Sequence, residues 1–291
     1  MSTIIEVKNL SFAYAPHSTI LRNISFGVTA GTFLSIAGPN GAGKTTLLNL
    51  LCGLLRAQAG SIIIDTAPIE SYSTRRLAQK VAVVHQEFVP VFDFTVGEVV
   101  SMARTPYVGT FGFESKADRD AVSDALEATD TAKFAMRPIG SLSTGERQRV
   151  FIARALAQDT AILLLDEPTS FLDLKHQVEI FDLLKAVQFE KGKTVVAVTH
   201  DINLAAQYCD RVLLLTGREP EQQKLPDGMV SQDNYYIGKT RDVFSPEQVE
   251  RVFGVKVFAG AVGQENFFIP LGKFAKDGRQ FDGQRNRRQQ P

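Results

Sequence analysis

The 291-residue chain carries 32 Lys plus Arg against 32 Asp plus Glu, with two Cys and four His, so no global basic field exists to hold nucleic acid and partner contacts must be local. The longest unbroken apolar runs, such as Val212 to Leu215, fall far short of the ~20 residues that a membrane-spanning helix needs. The length suits one large α/β domain with a subdomain or a tail.

The opening "MSTIIEVKNL" holds Glu6 and Lys8 inside an apolar stretch and shows no cleavage site. It reads as a strand rather than a secretory signal, which places the protein in the cytoplasm. From Thr3 to Ala37, "IIEVKNLSFAY", "ILRNISFGV" and "TFLSIAG" predict an antiparallel β layer feeding a buried strand. "TTLLNLLCGLL" follows Lys44 at helical spacing and is closed by Gly53, a helix of about three turns. "SIII" and "KVAVVHQ" read as strands with "TRRLAQ" helical between them.

Residues 88–140 have another texture: the aromatic loop "EFVPVFDF", a capping box from Thr95 to Glu98, and a second helix from about Lys116 to Thr129. We expect an α-helical insertion there. The chain then alternates helix (146–158), strand (161–165), helix (175–189), strand (194–199), helix (202–208) and strand (211–215). Apolar strands alternating with helices imply a mostly parallel sheet covered on both faces. Beyond Thr216 the text is irregular and polar, with Pro220, Pro226 and Gly228, until a helix opens at Ser245-Pro246 and ends at Gly254. The tail from Lys276 is polar and expected to be disordered. The expected organisation is a domain over 3–258, with the helical part at about 88–140, and an extension over 259–291. Cys52 and Cys209 have no metal-ligand spacing and read as core thiols.

"GPNGAGKTT", Gly38, Pro39, Asn40, Gly41, Ala42, Gly43, Lys44, Thr45 and Thr46, fits the phosphate loop G-x-x-x-x-G-K-[ST] between a strand and a helix. Its glycines let backbone N–H groups face phosphates, Lys44 reaches the β and γ groups, and Thr45 offers a hydroxyl to Mg²⁺. "ILLLDEP" is a buried strand ending in Asp166 and Glu167 at the edge where open α/β sheets bind ligands. Two acids before Pro168 also suit a polar turn; beside a phosphate loop they read as a Mg²⁺ ligand, Asp166, and a base for the attacking water, Glu167. His200 ends the strand "TVVAVTH" in the same sheet, and Gln86 ends "VAVVHQ" as an amide able to touch Mg²⁺ and water. In "SLSTGERQR", Ser143 and Glu146 form a capping box, and the helix start also presents N–H groups and a positive dipole end to a phosphate.

These motifs together resemble the nucleotide-binding subunits of ATP-binding cassette transporters. The resemblance runs from about Thr3 to Val257. It implies that "LSTGE", Leu142 to Glu146, closes over ATP held by a second copy, with Ser143 and Gly145 gripping the γ-phosphate. It also implies that Tyr14 stacks on adenine, that "SFLD" ending in Asp173 crosses between subunits, and that His200 is a switch histidine near the γ-phosphate. "FTVGEVVSMARTPY", "SFLDLKHQVEIFDLL" and "SPEQVERVFGVKV" resemble importers of iron chelates (siderophores), haem and cobalamin. The implied cofactors are ATP and Mg²⁺. The implied partners are a twin copy, a transmembrane permease and, indirectly, a substrate-binding protein, at the inner face of the cell membrane and without nucleic acid.

Two departures stand out. Thr144 replaces the first Gly of the usual pair; a β-branched residue tolerates positive φ poorly, so an ordinary helix entry is expected. A long stretch from Thr216 to Lys239 replaces the family's short hairpin. Soluble cassettes of chromosomes, ribosomes or cofactor assembly remain an alternative, as do haem and cobalamin as cargo. A GTPase or small-molecule kinase lacks support, because no N-K-x-D guanine reader is present.

Overall fold

The computed structural model describes residues 2–15, 18–85, 93–108, 114–217, 230–232, 234–262 and 265–272. Its first elements are β1 (Thr3–Ala13), β2 (Thr19–Thr29), β3 (Phe33–Ala37), α1 (Lys44–Leu51), β4 (Ala59–Ile64) and β5 (Ala67–Pro68). After α2 (Thr74–Ala78) and β6 (Val81–Val84) come α3 (Val96–Ser101), α4 (Lys116–Ala128) and α5 (Thr144–Ala157). The remaining core elements are β7 (Ile162–Asp166), α6 (Leu174–Lys191), β8 (Thr194–Val198), α7 (Ile202–Tyr208) and β9 (Arg211–Leu215). The last are β10 (Val230–Gln232), β11 (Tyr235–Lys239), α8 (Thr240–Val243), α9 (Pro246–Phe253), β12 (Val257–Val262) and β13 (Glu265–Pro270).

The alternation in β1 and β2 builds the expected antiparallel layer, in the order β2-β1-β4-β5. The second sheet runs β10-β11-β9-β3-β8-β7-β6, with β9 through β6 parallel. Its central strands are buried throughout, so each face must pack against something apolar. Phe33 and Ala37 of β3, Leu163 and Leu165 of β7, and Val195 and Ala197 of β8 join one core with α3 to α7. Leu34, Ile36, Ile162, Leu164, Val196 and Val198 turn the other way, to α1 and the antiparallel layer. The period of two thus splits one sheet between two cores.

The helices between β6 and β7 pack on α5. Capping boxes start α3 at Thr95/Glu98 and α5 at Ser143/Glu146, and a third starts α4 at Ser115/Asp118. Arg104, in the turn after α3, is buried and ties this group together. Its Nε donates to Asp118 Oδ1 over 2.9 Å, its Nη1 to the Ala157 carbonyl over 2.8 Å, and its guanidinium stacks 3.9 Å over Tyr107.

The structure departs from expectation in several places. α1 spans eight residues rather than three turns, because the Leu54 and Leu55 amides fold back to the Asn49 carbonyl. Within the stretch after Thr216, β11 adds antiparallel to β9, with Tyr235, Tyr236 and Ile237 buried. The Tyr235 hydroxyl accepts from Ser25 N at 3.0 Å and donates to Ser25 O at 2.7 Å, joining the two sheets. Tyr235→Phe should therefore cost about 1–3 kcal/mol, read from urea denaturation, by leaving both main-chain groups of Ser25 unpaired.

The boundary expected at 258 falls inside the hairpin of β12 and β13. Phe268 is buried in the core that α7 shares, and the Asn203 amide clasps it, donating to its carbonyl at 3.1 Å and accepting from its N–H at 2.7 Å. The tail from Lys276, residues 218–229 and the loop from Glu87 to Phe92 lie outside the described residues. Cys209 is buried and Cys52 half-buried.

Candidate nucleotide site

The phosphate loop begins where β3 leaves the sheet. Gly38 has φ +144, and any Cβ there would collide with the Leu215 carbonyl; Gly43, at φ +93, lies against Ile20 and Leu21. Only glycine suits both positions. Asn40, Gly41 and Thr45 are exposed at the loop surface, and Ala42 is buried. Gly43 starts α1 without a side-chain cap, so the first amides of that helix are open to an external acceptor.

Lys44 is buried, and its Nζ donates to the carbonyls of Gly38 at 2.9 Å and Pro39 at 3.0 Å. Burial pushes its pKa down, while the carboxylates of Glu167 and Asp166 oppose that shift. Thr45 Oγ1 donates to Asp166 Oδ1 at 3.2 Å, bringing the end of β7 to the start of α1. Burial raises the Asp166 pKa, the Thr45 bond opposes the rise, and the Glu167 charge adds to it.

Glu167 holds φ 47, a left-handed backbone, and its N–H donates to the Val198 carbonyl of β8 at 3.1 Å. Its Oε2 accepts from Ser170 Oγ at 2.8 Å and lies 3.6 Å from His200 Nδ1. Phe171 is a second left-handed residue four positions on, at φ 64 and 78% exposed. Two strained non-glycine residues in so short a stretch mark a loop shaped for something other than stability. Tyr14 is exposed beside the loop, packed edge-on to Phe12 at 5.0 Å, with its hydroxyl 3.2 Å from Thr46 Oγ1.

Among the expected site residues, the phosphate loop, Tyr14, Asp166, Glu167 and His200 thus converge at one sheet edge. Ser143, Gly145 and Asp173 do not join them: none makes a hydrogen bond or ion pair with that group. Ser143 caps α5, its hydroxyl donating to Glu146 Oε2 at 2.8 Å and accepting from Glu146 N at 3.3 Å. Thr144 enters α5 with an ordinary negative φ, as the β-branched side chain requires. Asp173 caps α6 through a bond from His176 N. Gln86 lies outside the described residues. His176 carries little sequence signal beyond its i, i+3 spacing from Asp173 at a helix start.

A glycine loop between a buried strand and a helix, a buried lysine, and paired acids at the end of β7, one strand removed in the same parallel sheet, define a nucleotide-binding phosphate-loop protein. The comparisons refine this. The family described as "ABC transporter" matches residues 21–170. YvrA of Bacillus subtilis, an uncharacterized ABC transporter ATP-binding protein, is 40% identical over 231 residues, 79% of this chain; the chain spans only 52% of that relative's length. FpuC of Bacillus anthracis, a petrobactin import ATP-binding protein, is 36% identical over 92% of this chain and 93% of its own. FepC of Escherichia coli, a ferric enterobactin transport ATP-binding protein, is 34% identical over 92% and 94%. A dimeric structure of the bacterial ABC transporter cassette MJ0796 superposes with a TM-score of 0.63 at 33% identity, covering 72% of this chain and 93% of that one. The chain belongs to the ABC transporter family: it is an ATP-binding cassette whose ATP hydrolysis is coupled to transport.

Proposed function

We propose that two copies of this chain work beneath a membrane permease to power import of iron(III)–siderophore complexes delivered by a substrate-binding protein. The observation that carries the two-copy reading is the separation within one chain of two phosphate-binding structures. The loop at Lys44 and the helix start at Ser143 share no bond, so a second copy must supply the missing wall. The siderophore cargo rests on likeness to FpuC and FepC over nearly the whole chain.

In this reading Tyr14 stacks on adenine, and the amides from Pro39 to Thr46 with Lys44 hold the β- and γ-phosphates. Ser143 and Gly145 of the other copy cover the γ-phosphate, and Asp173 crosses at the same seam. Thr45 and Asp166 fit Mg²⁺, because a hydroxyl and a carboxylate converge to 3.2 Å and hard cations take oxygen ligands. Mg²⁺ bound there neutralises charge on the phosphates. Glu167 accepts the proton of the attacking water, and His200, beside Glu167 Oε2, meets the γ-phosphate; Gln86 would complete the water's surroundings. Lys44 Nζ donates to the Gly38 and Pro39 carbonyls, bonds that it exchanges for phosphate oxygens when nucleotide binds.

The chain sits at the cytoplasmic face of the membrane. Among the described residues, no helix is long and apolar enough to cross it. Beside the end of β6, which leads to Gln86, a cavity of about 470 Å³ is lined by Cys52, Leu54, Arg56, Tyr72, His85 and Arg154. A short permease helix suits this cavity, which links permease movement to Gln86.

Deletion of the gene should abolish growth on ferric siderophores as sole iron source and uptake of ⁵⁵Fe-siderophore, both restored by the parent chain but not by Lys44→Ala. Normal iron uptake, with loss of cobalamin or haem uptake instead, would overturn the cargo. Recovery from detergent extracts with soluble partners alone would overturn the permease.

A further inference from the structure

His176 lies outside the nucleotide site, on the surface shared by α5 and α6. Its Nδ1 donates to Asp173 Oδ1 over 2.7 Å, and the same oxygen accepts from the His176 main-chain N–H at 3.0 Å. These bonds, the main-chain one foremost, hold the Asp173 carboxyl below the usual carboxylate range. The far side of the ring lies against the start of α5. A methyl group on Gly145 would stand 3.1 Å from His176 Cδ2 and 3.4 Å from Cγ. The ring therefore packs on a helix start that has no side chain, at Gly145, which is buried. One turn further along both helices, Arg149 pairs with Glu179. The two helices are stitched at successive turns, with His176 at the end nearest Ser143 and Asp173.

We propose that His176 is a positioning residue: its imidazole is a strut that fixes the Ser143–Gly145 helix start to the turn at Asp173, so that both meet the second copy as one rigid face. The inference rests on the two-copy reading given above. Ser143 and Gly145 must reach the twin's γ-phosphate while Asp173 reaches its seam. With two elements held in register before they meet, less order has to be imposed on association. A glycine at position 145 alone would leave the helix start free to shift relative to Asp173; the ring beneath it removes that freedom. His176 touches no nucleotide in this arrangement. Its effect should appear in assembly and not in binding by the single copy.

The test uses the full chain carrying Glu167→Gln, which should bind ATP while turning it over about 10²-fold more slowly. Sedimentation with ATP and Mg²⁺ gives the protein concentration at half-assembly. Adding His176→Ala should raise that concentration about tenfold, while affinity of the single copy for a fluorescent ADP stays within about twofold. His176→Asn, whose amide can donate to Asp173 in place of Nδ1, should recover part of the loss. Assembly of the His176→Ala form at the parent concentration overturns the strut, and so does an ADP affinity that falls in the same proportion. His176→Asn no better than His176→Ala overturns the tether to Asp173. If Glu167→Gln alone stays monomeric with ATP, the two-copy reading itself fails and the strut with it.

Discussion

Glu167→Gln should lower steady-state ATP turnover by about 10²-fold or more while leaving nucleotide affinity within a few-fold of the parent. The amide keeps the length of the side chain and an oxygen able to accept from Ser170 Oγ, which now bonds Glu167 Oε2 at 2.8 Å. The left-handed backbone at φ 47 is held by the main-chain bond to Val198 and does not depend on the carboxylate. What disappears is the basic oxygen 3.6 Å from His200, the group proposed to accept the water's proton. Phosphate release and fluorescent-nucleotide titration measure the two quantities separately. Turnover within threefold of the parent would remove Glu167 from the role of base. A parallel loss of affinity would instead show that the charge balance around Lys44 had changed, since the Glu167 carboxylate, more than that of Asp166, opposes the effect of its burial.

Arg104→Ala should destabilise the chain by about 3–5 kcal/mol, the usual consequence of leaving one member of a buried ion pair alone. Both side chains are almost fully covered, at 9% and 6% exposure, and Arg104 also supplies the proton donor to the Ala157 carbonyl at the end of α5. The loss should be visible as a lower midpoint in urea, and Arg104→Lys should not repair it, because one ammonium cannot serve Asp118 and Ala157 in the fork geometry. The pair also predicts a pH dependence. Bonds from Ser115, then the Arg104 contact, hold the Asp118 pKa down at about 2, against an ordinary carboxylate near 3.8. A depressed folded-state value means that the stabilisation is complete above about pH 4 and fades as pH falls toward 2. Urea midpoints at pH 7, 4 and 2.5 should show the parent losing stability over that window. Equal midpoints for Arg104→Ala and the parent at pH 7 would contradict the buried-pair account.

Features made of neighbours in the chain were readable from it. The phosphate loop, the capping boxes at Thr95 and Ser143, and the buried runs of β3, β7 and β8 each announce themselves within about ten residues. The resemblance to transporter cassettes, itself a set of such local motifs, is borne out by the family match and by relatives aligned over most of the chain. Other features depend on distant partners and escaped. β11 is legible only once β9 offers an edge, because "YYIGK" follows a long polar stretch. The β12–β13 hairpin carries apolar residues on both faces, Phe258 exposed and Phe268 buried, so no clean alternation marks it. The contact of His176 with Gly145 spans 31 positions and has no sequence signature. Thr144 was a case of elementary sterics sufficing: a β-branched residue entered the helix with negative φ, as expected.

The clasp of Asn203 on Phe268 also limits how the polypeptide can be shortened. Asn203 lies three residues after His200, on the helix that follows it directly. An expression product ending before β13 would uncover a phenylalanine, strip both partners from a half-buried amide, and loosen the helix that begins two residues after His200. Trimming the chain before β13 would therefore disturb the surroundings of His200 and Glu167 without altering either residue.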